Sequence, residues 1–238
     1  MTDNTMTAMQ RLALFDLDHT LLPLDSDYQW ADFLARTGRA GDPAEARRRN
    51  EELMERYNAG QLTAEQSAEF MLGLLARATP EALAQWHEVF MNEIVTPAIR
   101  PNARALVREH MERGDLCAIV TATNEFVTAP IASAFGIPHL IATVPEMQNG
   151  RYTGRIAGVP SFQSGKVTRV KQWLEGMGRS LADFAASYFY SDSHNDLPLL
   201  EAVTHPVATN PNQVLRGLAQ ERGWAVLDLF HDMEDAKS

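Results

Sequence analysis

The chain has 238 residues, 45% of them hydrophobic and 22% charged, with a formal net charge of -10 at pH 7. That length buries a full core as one domain or two modest ones, and the balance is that of a globular protein. The negative charge argues against a general nucleic-acid binder, which needs clustered Lys and Arg for the phosphate backbone. The one basic run, Arg47-Arg48-Arg49, is flanked by Glu45, Glu51 and Glu52 and reads as a solvated helix face. A single cysteine allows no intramolecular disulfide, which fits a reducing cytoplasm. It lies in the apolar run Leu116-Cys117-Ala118-Ile119-Val120, where a small buried hydrophobe is expected. The start of the chain is polar, with no apolar signal region, and no stretch approaches the ~18 apolar residues of a membrane helix. A cytoplasmic protein without membrane or nucleic-acid partners is expected.

In chain order, residues 11–15 predict a short strand, nearly continuous in apolar character as when both faces of a sheet are covered. From 26 to 94 no strand is predicted, only helices at 27–37, 43–58, 63–77 and 80–93. Asp42-Pro43 and Thr79-Pro80 put proline at the first helical position, and Thr63 with Gln66 makes a capping box. Four helices inserted after the first strand of an α/β domain read as a cap, residues 25–95, returning near Thr96-Pro97. A helix at 102–113, a strand at 116–120 and a helix at 126–135 follow. Asn149-Gly150, between 146–148 and 151–156, signals a small antiparallel hairpin. The chain then alternates helix 166–177, strand 187–190, helix 197–202, strand 206–208, helix 211–222 and strand 224–227. The charged tail 232–238 is expected to fray. There is no internal repeat or low-complexity tract. The alternation predicts a doubly wound parallel sheet built from residues 1–24 and 96–238.

Chemistry concentrates at strand ends, where open α/β sheets bind ligands. Asp16-x-Asp18-x-Thr20 follows the first strand, and two close carboxylates repel unless a cation or a proton is shared. The same residues also suit the start of a turn. Asp192, Asn195 and Asp196 follow the strand at 187–190; a helix cap explains Asp196 alone, not why two strands end in acids. Mg²⁺ prefers one or two carboxylates with waters and phosphate oxygens, which this set provides. Thr121, followed by Ala122-Thr123-Asn124, offers a hydroxyl and backbone N–H groups before a helix, a setting for phosphate oxygens. Lys166 sits at a helix start, unfavourable against the dipole unless it has an anionic partner.

In this order, Asp16/Asp18, Thr121, Lys166 and Asp192/Asp196 resemble the four motifs of the haloacid dehalogenase superfamily of phosphatases, and the resemblance covers essentially the whole chain. The helical insert resembles the cap of the subgroup that includes phosphoserine phosphatase. The resemblance implies that Asp16 attacks phosphorus and that Asp18 exchanges the proton of the leaving alcohol and of water. It also implies Mg²⁺ held by Asp16, the Asp18 carbonyl and Asp192, with Asp196 direct or through water. Thr121 and Lys166 would stabilise phosphoryl charge, and Asn195 would contact phosphate or orient Lys166. An aspartate at position 18 favours phosphate esters over haloacids.

The resemblance also points to the substrate. Phosphoserine phosphatase binds the substrate amine through an acidic residue nine positions after the nucleophile, here Asp25. Asp25 and Asp27 serve equally well as helix caps. The two glycines usual after the second-motif hydroxyl are Ala122 and Thr123 here, and no cap arginine stands out to hold a substrate carboxylate, Arg56 being a candidate by location alone. The words around Asp16 and Thr121 are closer to a bacterial branch containing histidinol-phosphate phosphatases, whose substrate has an amine and no carboxylate. Phosphoserine hydrolysis, phosphotransfer within the same family and a receiver-like phosphoryl-accepting module are the rival readings; receivers lack both the cap and the second aspartate.

Overall fold

The computed structural model describes residues 10–58, 61 and 63–230; the tail at 232–238 lies outside them. After β1 (Leu12–Phe15) come α1 (Ser26–Arg36), α2 (Pro43–Asn58), α3 (Ala64–Leu75) and α4 (Pro80–Phe90). A π turn at Met91–Val95 and the short α5 (Thr96–Ala98) lead to α6 (Pro101–Glu112), β2 (Leu116–Asn124), α7 (Glu125–Phe135), β3 (His139–Gln148) and β4 (Arg151–Ala157). The chain ends with α8 (Ser164–Glu175), β5 (Ser187–Ser191), α9 (Leu197–Leu200), β6 (His205–Thr209), α10 (Gln213–Arg222) and β7 (Ala225–Leu227).

These strands form one sheet in the order β4-β3-β2-β1-β5-β6-β7, parallel except for β4, which runs antiparallel to β3. Alternation along β1 explains the two layers. Leu12 and Leu14 point to a core with Val170 and Leu174 of α8, Leu200 of α9 and Leu215 of α10. Ala13 and Phe15 point to the other core, with Val107 of α6 and Val127 and Ile131 of α7. A period of two thus splits one four-residue strand between both faces.

The helical insert shares the second core: Trp30, Phe33, Leu72 and Phe90 belong to the same apolar cluster as Phe15 and Ile119. Trp30 stacks on His87 at 5.4 Å between ring centroids and meets Phe90 edge-on at 5.3 Å. The insert also meets the sheet edge backbone to backbone. A Cβ at Gly154 of β4, where φ is +84°, would lie 3.3 Å from the Cα of Gly73 in α3.

Helix starts follow the sequence signals. Thr63 and Gln66 form the reciprocal capping box, Thr79 caps α4 ahead of Pro80, and Asp42 accepts from the Glu45 N–H at 2.9 Å. Three expectations need revising. β2 does not stop at 120: the β-branched Thr121 and Thr123 carry it to Asn124, with a register irregularity after Val120. The hairpin turns at Asn149-Gly150 as expected, both at positive φ, but it is not a separate excursion. Its first strand enters the main sheet beside β2, because the run from Leu140 to Val144 is itself strand-like. α4 ends at Phe90 and opens into the π turn rather than reaching 93. Among the described residues no helix is long and apolar enough to cross a membrane.

Candidate active site

β1, β2 and β5 are neighbours in the sheet, and Phe15 pairs with both Ile119 and Tyr190. Asp16, Thr121 and Asp192, one or two positions further along, therefore meet at one edge, beneath α1 and α3 of the insert. The cleft there has a volume of about 710 Å³ and takes in Asp16, Asp18, Thr121, Lys166, Asp192 and Asp196.

Lys166 is the centre of the arrangement. It is 2% exposed, and its Nζ donates to Asp16 Oδ1 at 2.8 Å and to Asp196 Oδ2 at 2.6 Å. Burial alone would lower its pKa, but the charges of Asp16 and Asp196 outweigh that and hold it above the ordinary lysine value. Asp196 Oδ2 also accepts from Ser191 Oγ at 2.7 Å. Its side chain makes no cap bond to α9, so the capping reading of Asp196 gives way to an ion pair. The start of α8 is fixed by close approach: a Cβ on Gly165 would lie 2.1 Å from the Pro160 carbonyl oxygen. Beside it Gln163 holds a positive φ of 48°, and its Nε2 donates to Asn195 Oδ1 at 3.4 Å.

Thr20 is fully buried and knits two strand ends together. Its hydroxyl lies 3.2 Å from Asp16 Oδ2 and 3.5 Å from Asp192 Oδ1, and it accepts the Asp192 N–H at 3.0 Å. Asp18 has a different setting. The Ser26 N–H donates to its Oδ1 at 2.9 Å and Thr123 Oγ1 to its Oδ2 at 2.7 Å. Burial and then the charge of Asp25 push its carboxyl up to about 6, against those hydrogen bonds. Asp192 is pushed up to about 8 by burial and by Asp16 and Asp196. Burial leads the upward shift of Asp196 as well.

The remaining expected residues divide. Asp25 caps α1, accepting from the Tyr28 N–H at 2.8 Å, and also lines the cleft. Ala122, Thr123 and Asn195 line the cleft. Thr121, 1% exposed, accepts the Thr123 N–H. Asn124 does not face the cleft: it caps α7 through the Val127 N–H and donates to Asp27 Oδ1 at 2.8 Å. Arg56 stands exposed on α2, away from the cleft, and among the described residues no arginine lines it. Cys117 is buried, its thiol pushed up to about 12 by burial and Asp115, as befits a packing residue.

Two features of the cleft escaped sequence reasoning. Asp27 lines it and is held well above the usual carboxylate range by burial and by Asp25 and Asp18. Its signal was the Asp25-x-Asp27 spacing, which a capping explanation also fits. Ser67 and Met71, one helical turn apart on α3, form the facing wall, and nothing but that spacing marks them in the sequence.

A cleft at the carboxyl ends of parallel strands, roofed by helices and holding a lysine among carboxylates, is where an open α/β sheet binds a small ligand. The chain belongs to the haloacid dehalogenase-like hydrolase family, which its residues 13–201 match. It is 44% identical over 221 residues to a histidinol-phosphatase of Neisseria meningitidis, covering 92% of this chain and 99% of that one. A Bordetella pertussis protein of unknown function superposes with a TM-score of 0.93 at 71% identity, over 94% of this chain and all of the other. A substrate-bound phosphoserine phosphatase shares the fold, with a TM-score of 0.63 at 18% identity over 92% of each chain. The family and the Neisseria relative together make this chain a phosphoric monoester hydrolase, and the receiver-like reading falls away.

Proposed function

We propose that the protein hydrolyses histidinol phosphate or a close amine-bearing phosphate ester, with Asp16 as nucleophile and Asp18 as proton carrier. One observation carries the assignment of roles: Asp16 is charge-paired with the buried Lys166, whereas Asp18 is a carboxyl pushed up to about 6. The first suits attack, the second proton donation. An Asp16 oxygen bonds to phosphorus as the ester P–O bond breaks, and Asp18 gives its proton to the departing alkoxide. Water then attacks phosphorus of the aspartyl phosphate, Asp18 takes back a proton, and Asp16 is released with inorganic phosphate. Lys166 and Thr121 stabilise the equatorial oxygens.

The donor set fits Mg²⁺ in a specific way. Among the described residues no three His, Cys, Asp or Glu side chains converge to hold a metal by themselves. Asp16 gives Oδ1 and Asp196 gives Oδ2 to Lys166, so each would meet the ion through its other oxygen, Asp196 directly or through a water. With Asp192 and the Asp18 carbonyl they make an all-oxygen set that leaves positions for water and phosphate, as Mg²⁺ prefers. The ion would offset the repulsion between Asp16 and an anionic phosphate.

The substrate assignment is supported by Asp25 and Asp27 in the cleft, by the absence of a cleft arginine among the described residues, and by the Neisseria relative. Residues 25–95 would act as the cap that reads the alcohol part and excludes water. The enzyme would work in the cytoplasm, a reducing compartment that suits its one buried cysteine. The test is release of inorganic phosphate, with Mg²⁺, from histidinol phosphate, phosphoserine and simple alkyl phosphates. Histidinol phosphate should give the highest kcat/KM. A higher value for phosphoserine would overturn the substrate, transfer to an added alcohol would favour the phosphotransferase, and no release from any ester would overturn the mechanism.

A further inference from the structure

Away from the catalytic cleft, α1, α2 and α3 enclose a cavity of about 250 Å³ within the insert. Asn50 of α2 lines it and is 2% exposed. Neither its Nδ2 nor its Oδ1 has a hydrogen-bond partner. A buried amide left unpaired at both ends costs on the order of 1–3 kcal/mol for each unsatisfied group, so such groups are normally matched. Here the missing donor and acceptor must come from whatever fills the cavity.

The surroundings define the occupant. Phe70 and Leu74 of α3 and Ala31 of α1 make the inner wall apolar. At the rim stand Asp42 and Arg77. Asp42 uses one oxygen on the Glu45 N–H, and Arg77 uses Nη1 on the Ala40 carbonyl at 3.2 Å, leaving the rest of its fork free to meet a carboxylate. Arg49, also on the rim, is paired with Glu45 at 2.7 Å. An anion holder and a cation holder at the mouth, with an orphaned amide inside, complement a zwitterion whose far end carries both a donor and an acceptor. We infer that this cavity binds a free α-amino acid with a side-chain amide, its carboxylate on Arg77, its ammonium on Asp42 and its amide on Asn50. At about 30 Å³ per water the space equals about eight waters, enough for such a molecule. Because α3 also presents Ser67 and Met71 to the catalytic cleft, the occupied cavity braces a wall of the active site.

Calorimetry on the full-length protein with L-glutamine, L-asparagine, L-leucine and propionamide tests this. One of the two amide amino acids should bind at one site per chain, with leucine and propionamide at least tenfold weaker. Asn50→Leu should abolish that preference, and Arg77→Gln, an exposed change that spares the packing, should weaken binding at least tenfold. No binding of glutamine or asparagine at 10 mM (about ten times a dissociation constant of about 1 mM), or binding untouched by Arg77→Gln, would overturn the inference. A crystal structure grown with both amino acids that shows Asn50 matched by waters alone would overturn it too.

Discussion

Replacing Lys166 by methionine probes the centre of the site. Methionine keeps an unbranched stem but removes the ammonium that stands 2.8 Å from Asp16 and 2.6 Å from Asp196. Both carboxylates are buried, at 7% and 3% exposure, so the change leaves two like charges facing each other with no cation between. Breaking a buried ion pair from one side costs about 3–5 kcal/mol. In a chain of this size each kcal/mol is worth about 2–4 °C, so the midpoint should fall by roughly 6–20 °C at pH 8 in EDTA. The loss should depend on pH. Burial already raises the Asp196 carboxyl above its ordinary 3.8, and loss of Lys166 raises it further. A carboxyl raised in the folded state contributes stability that is full below the unfolded value and lost as pH rises through the folded one. The variant's deficit should therefore shrink from pH 8 to pH 5, where one carboxyl takes up a proton. Thermal or urea unfolding of both proteins at the two pH values reads this directly. An equal deficit at both, or none at pH 8, would refute the reasoning that Lys166 is the charge holding the two carboxylates together.

Asp16→Asn should abolish acid-stable phosphoenzyme in a quenched reaction with labelled ester. Asp18→Asn should slow alkyl esters about 10²–10⁴-fold and p-nitrophenyl phosphate, whose leaving group needs no proton, far less; equal losses would sink the division of roles. For alkyl esters, kcat/KM should fall as pH rises through about 6, where Asp18 loses its proton. Mg²⁺ binding, followed by the rise in unfolding midpoint, should weaken about tenfold per pH unit below about 8, because a proton must leave Asp192 first; pH-independent binding would refute a protonated Asp192 in the free protein. Gly165→Ala drives a methyl to 2.1 Å from the Pro160 carbonyl oxygen. It should cost about 1–3 kcal/mol and, by moving Lys166, lower kcat; a variant with native stability and kcat would show that the segment yields freely.

The sheet and most helix starts were legible because their signals are local. A continuous apolar run marks a strand covered on both faces, and Thr63, Thr79 and Asp42 mark helix starts by their own hydrogen bonds. The strand β3 was hidden because its parallel partner β2 is distant in sequence, whereas the Asn149-Gly150 turn announces only the antiparallel half of the pairing. The cluster itself was legible residue by residue, since Asp16, Thr121, Lys166, Asp192 and Asp196 each follow or begin an element. What each touches was not. No local rule says that Asp196 turns from its helix to Lys166, or that Thr123 reaches back to Asp18 across 105 positions. Those bonds are set by which strands become neighbours.

The charge pattern of the cleft bears on what it can hold. Lys166 is already matched by Asp16 and Asp196, so it brings little net positive charge to an incoming phosphate dianion. Asp192 adds further negative charge whenever it is ionised. The phosphate end is therefore poorly suited to a dianion without a divalent cation, which is a stronger reason to expect Mg²⁺ than the presence of aspartates alone. At the other end Asp25 and Asp27 face the same cleft without an arginine among the described lining residues. A carboxylate there would meet two acids, each bonded to a donor already, and would have to displace Tyr28 or Asn124 from them. An ammonium meets the opposite situation: both acids keep their donors and gain a cation. Burial lifts Asp27 toward its neutral form, and a bound cation would pull it back to the charged one. The proposed preference for a cationic alcohol over phosphoserine would thus rest on two adjacent carboxylates rather than on any single specificity residue, and neutralising both should erode it more than neutralising either alone.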